Sequence, residues 1–230
     1  MSNVPPQILK LRKPPAVHNW VRSISKRKDQ IAKELFDLAM FGPRHSLQLV
    51  TDVLRQVVVD GIDDMTAKGC ISNIRSPLVR RLGHEIIEAA LPYIRQKDWR
   101  GVQVFDGTVE YYPVSANVSV PIRPSFVIND NGKLKIYFII CWARFSLDLY
   151  QRRIIATLIT EALLSREEFQ SAEVKILCIP RHKFSKSERD IFELSISSYE
   201  LLSEKEKTQL FERYGAALTD AEKKILEALG

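Results

Sequence analysis

The sequence predicts a mixed α/β fold in which a central mixed sheet is flanked by helices, with helical additions at both ends. Three observations carry this. Apolar residues recur at three- and four-residue spacing in several windows, as on one face of a helix. Between residues 102 and 143, and again at 174–180, that period gives way to alternation or to short continuous apolar runs, as in strands. The composition is that of a globular chain, 230 residues with 45% hydrophobic and 27% charged, which suffices for a sizeable core.

Pro5, Pro6, Pro14 and Pro15 stand among basic side chains, a composition that resists helix and central strand and predicts an extended basic arm over residues 1–28. A helical segment is expected over 29–76. Ile31, Leu35, Leu38 and Ala39 have helical spacing until Gly42-Pro43 stops them, and Leu47, Val50, Leu54 and Val57 form a second face that ends near Gly61. Asp60, Asp63 and Asp64 lack the ligand spacing of a calcium loop and read as loop or cap residues. An α/β core follows over 77–184, opening with a helix from Pro77 to Ile94 on which Leu78, Leu82, Ile86, Ala89 and Tyr93 share a face. Val102, Val104, Val109, Tyr111 and Val114 then alternate, with Asp106-Gly107 as a turn between two short strands. Residues 118–130 read as a further strand, and Asn129-Asp130-Asn131-Gly132 as a hairpin turn. Lys133–Ala143 is apolar enough to be a central strand covered on both faces. Ser146–Leu164 reads as a long helix, with Gln151, Arg152, Arg153 and Glu161 on its wetter side, and residues 174–180 as a last short strand. Over 185–230 a helical segment is expected, with S/T-x-x-E capping boxes at Ser203/Glu206 and Thr219/Glu222.

Lys and Arg number 34 against 28 Asp and Glu, a formal charge of +6. Residues 1–28 hold seven of the positives (Lys10, Arg12, Lys13, Arg22, Lys26, Arg27 and Lys28) and no acid, which leaves the rest of the chain at −1. The basicity belongs to the arm and points to an acidic partner there. No run of about 18 apolar residues suggests a membrane span, and the opening lacks the apolar centre of a secretory signal. Cys70, Cys141 and Cys178 are odd in number, widely spaced and set among apolar neighbours, which predicts reduced thiols in the cytoplasm, or in the nucleus if the cell has one. No CxxC, HExxH or paired-His spacing predicts a metal site, and no Walker loop or GxGxxG predicts a nucleotide cradle.

The core runs helix, three strands, long helix, strand. With Arg123-Pro124-Ser125-Phe126 just before an Asn-Gly hairpin and a hydrophobic strand after it, residues 77–181 resemble the core of the PD-(D/E)XK nuclease superfamily. That resemblance implies a Pro-Asp on the second core strand and an acid-x-Lys on the third, converging at the sheet's edge to hold one or two magnesium ions and position a water. This chain departs from the pattern at both halves. Ser125 follows Pro124, and Ile139–Ala143, with Cys141 at its centre, supplies neither carboxylate nor lysine. The motif positions Pro124, Ser125 and Cys141 are therefore degenerate, and no metal cofactor is expected.

Two remnants keep an alternative open. The exonuclease-like branch of the superfamily implies an extra Glu on the helix before the sheet, matched by Glu88 or Glu85, and the catalytic acid could have moved to Glu110, Asp106 or Asp130; the bland reading makes these solvated helix charges and turn residues. Cys141 reads as an inert apolar cysteine. Trp20, inside the arm, is the aromatic with the best claim to stack on a base or anchor a partner. The resemblance also sets the long helix beside the active face, which makes Arg144, Arg152 and Arg153 candidates for phosphate contacts alongside the seven cations of the arm.

The expectation is thus a nucleic-acid-associated protein on a nuclease-like fold without catalysis, in which removing residues 1–28 weakens binding far more than folding. Against it stand a magnesium- or manganese-dependent nuclease using Glu88 with Glu110, and a protein-interaction module or homo-oligomer using the apolar residues of the C-terminal helices.

Overall fold

The structure, a computed structural model, describes residues 4–42, 45–97, 99, 101–104 and 109–230. Its first element corrects the extended arm. Pro6 opens helix α1 (Pro6–Leu11) from a position where a missing N–H forfeits no intrahelical bond. A short helix α2 (Val17–Trp20) and a 3₁₀ turn (Val21–Ser23) follow. Ile8, Leu11, Val17, Trp20, Val21 and Ile24 are each 5% exposed or less, so the arm is part of the core.

Helix α3 (Lys28–Phe41) ends at Gly42, whose φ of 66° favours glycine. Helix α4 (Gln48–Val59) is followed by α5 (Asp64–Ser72), which Asp63 caps by accepting from the Thr66 N–H at 2.7 Å. The loop-or-cap reading of these aspartates thus resolves into a cap. Ser76 caps α6 (Pro77–Gln96), again with proline in the first turn.

Strands β1 (Val102–Val104), β4 (Phe126–Asp130), β5 (Lys133–Ile140), β6 (Glu173–Cys178) and β7 (Phe192–Ser195) form one sheet in the order β1-β4-β5-β6-β7, while β2 (Glu110–Ser115) and β3 (Val118–Ile122) pair as a separate antiparallel hairpin. The β1, β4 and β5 neighbours are antiparallel. β5 and β6 run parallel, joined across one face by α7 (Leu149–Ile159) and a π turn over 160–164. Three expectations change here. The stretch 118–130 is two strands in different sheets, β1 pairs with β4 rather than with its sequence neighbour, and β7 lies where only helix was foreseen; the Asp106-Gly107 turn falls outside the described residues. The Asn131-Gly132 turn stands, at φ 53° and 85°, the positive values a tight hairpin needs.

β5 is central and alternates strictly. Ile136, Phe138 and Ile140 face a layer built from the arm, α3, the β2–β3 hairpin, α7 and α8 (Glu204–Leu229), while Tyr137, Ile139 and Cys141 face α4, α5 and α6. The first of these clusters runs from Ile8 to Ile225, so one core spans all four expected segments. Gln151, expected on the wet side of α7, instead donates to the Val21 and Ile24 carbonyls at 3.2 and 2.9 Å and fastens the arm. α8 holds the arm from the other side through Trp20 edge-on to Tyr214 at 5.4 Å, Arg12–Glu222 at 3.5 Å and Lys28–Asp220 at 2.8 Å. Ser203 and Glu206 make the expected capping box, but Thr219 lies mid-helix, its hydroxyl donating to the Gly215 carbonyl at 3.2 Å. Among the described residues no helix is long and apolar enough to cross a membrane.

Candidate functional site

The degenerate motif positions meet where β4 begins and β5 ends. Pro124 is buried. The Ser125 N–H donates to the Tyr137 carbonyl at 2.7 Å and its hydroxyl accepts from the Ile139 N–H at 3.1 Å, which extends the β4–β5 pairing. Cys141 is buried on the α6 side, and loss of solvent pushes its thiol up to about 12, as it does for Cys178. Neither thiol is a nucleophile or a metal ligand in that state. All three cysteines are free, with Cys70 exposed.

Beside Cys141 stands an ion cluster that spacing alone did not disclose. Glu85, on α6, accepts at one carboxylate oxygen from Arg181 at 3.0 Å and Arg189 at 3.1 Å, with Arg81 at 4.0 Å from the other oxygen. The Arg189 side chain is 1% exposed and also donates to the Trp142 and Ile179 carbonyls, both at 3.3 Å. Glu85, read as a solvated helix charge, is only 10% exposed and is buried against two guanidinium groups. Desolvation lowers the Arg189 pKa while Glu85 opposes that fall, and removal of either partner would strand the other. The Nε atoms of Arg181 and Arg189 are buried without a hydrogen-bond partner.

A divalent ion needs several anionic or carbonyl oxygens free to turn toward it. Here the hydroxyl of Ser125 is engaged by backbone, Cys141 is a neutral thiol, and Glu85 is already neutralised by guanidinium groups. These residues do not fit a magnesium or manganese ion. Among the described residues no group of three or more His, Cys, Asp or Glu side chains comes together for a metal.

The displaced-ligand pair also fails on position. Glu88 is exposed on α6, on one side of the main sheet; Glu110 lies on β2 in the opposite layer and is ion-paired with Arg166. Asp130 is paired with Lys135 at 2.7 Å, and Asp106 falls outside the described residues.

The proposed phosphate-binding cations divide. Six of them have hydrogen-bond or ion-pair partners within the chain: Lys10 donates to the Ala39 carbonyl at 3.4 Å, Arg27 pairs with Asp29 at 2.5 Å, Arg12 and Lys28 hold α8, Arg153 grips Glu206 at 2.8 and 3.0 Å, and the Arg152 Nε–H donates to the Leu147 carbonyl at 2.9 Å. Lys26 lies over Tyr150, its ammonium 5.5 Å from the ring centre. Arg22 and Arg152 gather with exposed Arg144 around the exit of β5. Arg22 sits 4.7 Å over the Trp142 ring, Trp142 stacks on Phe145 at 6.1 Å, and Arg152 lies 5.3 Å from the Phe145 ring. On the other side of the same segment Arg181 donates its N–H to the Ala143 carbonyl at 3.1 Å and Arg189 holds Trp142. Lys13 is exposed elsewhere on the arm. Trp20 is fully enclosed and offers no face to a base.

A shallow cavity of about 430 Å³ adjoins the ion cluster along α6, lined by Arg80, Arg81, His84, Glu85 and Glu88 and by Ser187 from the β6–β7 loop. The exit of β5 and this cavity together form one cationic end of the sheet, with Glu85 as its buried counter-charge.

No family model and no curated protein matches this chain. A solved structure described as "Crystal structure of SSO0001" is similar to it at 12% identity and a TM-score of 0.33, over 82% of this chain and 83% of that one.

Sequence reasoning missed Arg189 as a buried residue and Glu85 as its partner. The signal for Glu85 was present: it follows Leu82 by three residues and precedes Ile86, so it lies at the border of the buried face of α6.

Proposed function

We propose that this protein binds nucleic acid through a nuclease-like core that has exchanged metal chemistry for arginine, and that it holds phosphates without cleaving them. The observation that carries the reading is the cationic end of the sheet. Arg22, Arg144 and Arg152 surround the exit of β5, and Arg181 and Arg189 stand behind it on Glu85. The strand order β1-β4-β5-β6, with α7 crossing between the parallel pair and α6 packed on the opposite face, supports the nuclease-like reading. In the superfamily it resembles, a divalent cation neutralises carboxylates at the ends of the second and third core strands. This chain has Ser125 and Cys141 at those ends, and the fixed positive charge beside them is a guanidinium. Arg189 itself is enclosed, so phosphate contact falls to Arg22, Arg144 and Arg152 around it, groups that attract a phosphate oxygen but activate no water.

Free thiols at Cys70, Cys141 and Cys178 suit a reducing compartment, the cytoplasm or a nucleus, where nucleic acid is at hand. The test is a titration of labelled DNA and RNA at rising salt, with magnesium or manganese added in parallel reactions. Binding is expected to weaken with salt by a slope of roughly 0.7–0.9 per neutralised phosphate, and no strand is expected to be cut. Absence of binding at low salt overturns the reading, and so does metal-dependent cleavage.

A further inference from the structure

We propose that the β6–β7 loop, residues 180–191, is a docking element for single-stranded nucleic acid, with a base stacked on the Phe184 ring and the neighbouring phosphate seated in the α6 cavity beside it. This deepens the nucleic-acid reading and rests on it. Among the described residues Phe184 is the most exposed large hydrophobic, at 84%, and basic side chains frame it: the Lys183 ammonium lies 5.3 Å from the ring centre and the His182 ring meets it edge-on at 5.9 Å. Lys186 is exposed two residues further on.

The loop is held open in this form by its own bonds. Arg181 and Arg189 pair across its base, the His182 N–H donates to the Glu188 carbonyl at 2.8 Å, and the Ser185 hydroxyl accepts from the Ser187 and Glu188 N–H groups at 3.3 and 3.1 Å. Its two legs are tied to α6 by the contacts of Arg181 and Arg189 with Glu85. An aromatic kept exposed on a fixed loop loses little freedom on binding, which favours a ligand that stacks over one that must remodel the site. The tip reaches the cavity through Ser187, so ring and cavity lie three residues apart on one loop. Arg80, Arg81 and His84 supply the cavity's cationic and hydrogen-bonding groups. Of its acids, Glu85 is already neutralised by Arg181 and Arg189, and Glu88 remains. Within the loop Asp190 is taken by His182 at 2.7 Å.

An aromatic site beside a cationic one matches the alternation of base and phosphate along an unpaired strand, whereas duplex bases present no free face to a ring. An anionic membrane also attracts an aromatic among lysines, but one ring on a tied loop beside a concave cavity gives little insertion area. Fluorescence anisotropy would compare a labelled oligothymidine, an abasic strand with the same number of phosphates, and a duplex, for the wild type, Phe184→Ala, and Arg80→Ala/Arg81→Ala. Phe184→Ala is expected to weaken oligothymidine binding on the order of 5- to 150-fold, with little change for the abasic strand or the duplex and no change in melting temperature. Arg80→Ala/Arg81→Ala is expected to weaken all three and to flatten the salt dependence. Equal oligothymidine affinity for Phe184→Ala and the wild type overturns the loop proposal while leaving the broader reading in place. Loss of the abasic strand or the duplex to the same degree overturns it too, as does Phe184-dependent binding to phosphatidylserine vesicles with no effect on oligothymidine. Failure of the wild type to bind any of the three nucleic acids overturns both readings.

Discussion

Replacing Trp20 by alanine tests whether the N-terminal basic segment is a tail or a part of the body. The Trp20 side chain is 1% exposed, packs edge-on against Tyr214 and belongs to the cluster that joins the arm, the sheet and α8. Deleting a side chain of this size at such a site removes its transfer free energy and leaves a cavity. Trp→Ala substitutions in cores cost about 3–5 kcal/mol. For a domain of this length each kcal/mol lowers the melting temperature by about 2–4 °C, so Trp20→Ala is expected to melt roughly 6–20 °C below the wild type. Urea denaturation followed by tryptophan fluorescence and by circular dichroism would measure the loss, with coincident transitions as the check on two-state behaviour. A docked arm makes Trp20→Ala destabilising. A loss below about 1 kcal/mol, the scale of a surface change, would refute the packing and restore a free cationic tail. The same contacts reverse the expectation for the truncation that removes residues 1–28. Six buried apolar side chains leave the core with them, so the truncated chain should lose folding as well as binding.

Four other outcomes follow from particular contacts. Arg189→Met removes the most buried partner of Glu85, leaving Arg181 and the more distant Arg81, and should cost about 3–5 kcal/mol in urea melts, while Glu85→Leu combined with Arg189→Met should recover most of that loss; a double variant no more stable than Arg189→Met would contradict the ion-pair account. Burial lowers His18 from 6.5 to about 4, so its contribution is complete above pH 6.5 and is lost as pH falls through 4, by up to about 3 kcal/mol; His18→Gln should flatten stability over that window, and an unchanged slope would refute it. Glu206, held down to about 2 by Arg153 and the Ser203 cap, keeps its contribution above pH 4.5 and loses it only as pH falls through 2, so the two effects separate in a pH series. Iodoacetamide followed by mass spectrometry should modify Cys70 in the native protein and reach Cys141 and Cys178 only after unfolding, and rapid native labelling of Cys141 would contradict its burial.

Elements whose pattern is local were legible. The β5 run, the Asn131-Gly132 turn and the capping box at Ser203 each declare themselves within about one helical turn or one strand. The face of α6 was legible only in part: Leu82 and Ile86 are buried as expected, but Leu78 is exposed and Val79, Ile87, Ala90 and Ile94 complete the buried side. The arm was misread because four prolines outweighed the spacing of Val17, Trp20, Val21 and Ile24, which is the i, i+3, i+4, i+7 pattern of a helical face. Pro6 at a first helical position starts a helix rather than breaking one. Strand β7 is four residues at the edge of the sheet, too short for alternation to stand out. β1 finds its partner in β4 across an intervening hairpin, and no local pattern records that pairing. At the site, the absence of acids at positions 125 and 141 was plain in the letters. What takes their place was not, because the partners of Glu85 lie 96 and 104 residues away in the chain. The chemistry of a position can be read from one residue, whereas its counter-charge can be assigned only once the fold has brought distant segments together.

The contact between the arm and α8 also sets an order of events during synthesis. The apolar side chains up to Ile24 are made early, but the helix that covers them begins at Glu204. At about 5–20 residues per second, roughly 10–35 s of translation separates the two. Throughout that interval Trp20 and its neighbours have no surface of α8 to close against, and a chain stalled before residue 204 would present them to whatever chaperone or protease meets it first. Burial of the segment up to Ile24 is thereby coupled to the formation of α8, some 180 residues further along the chain.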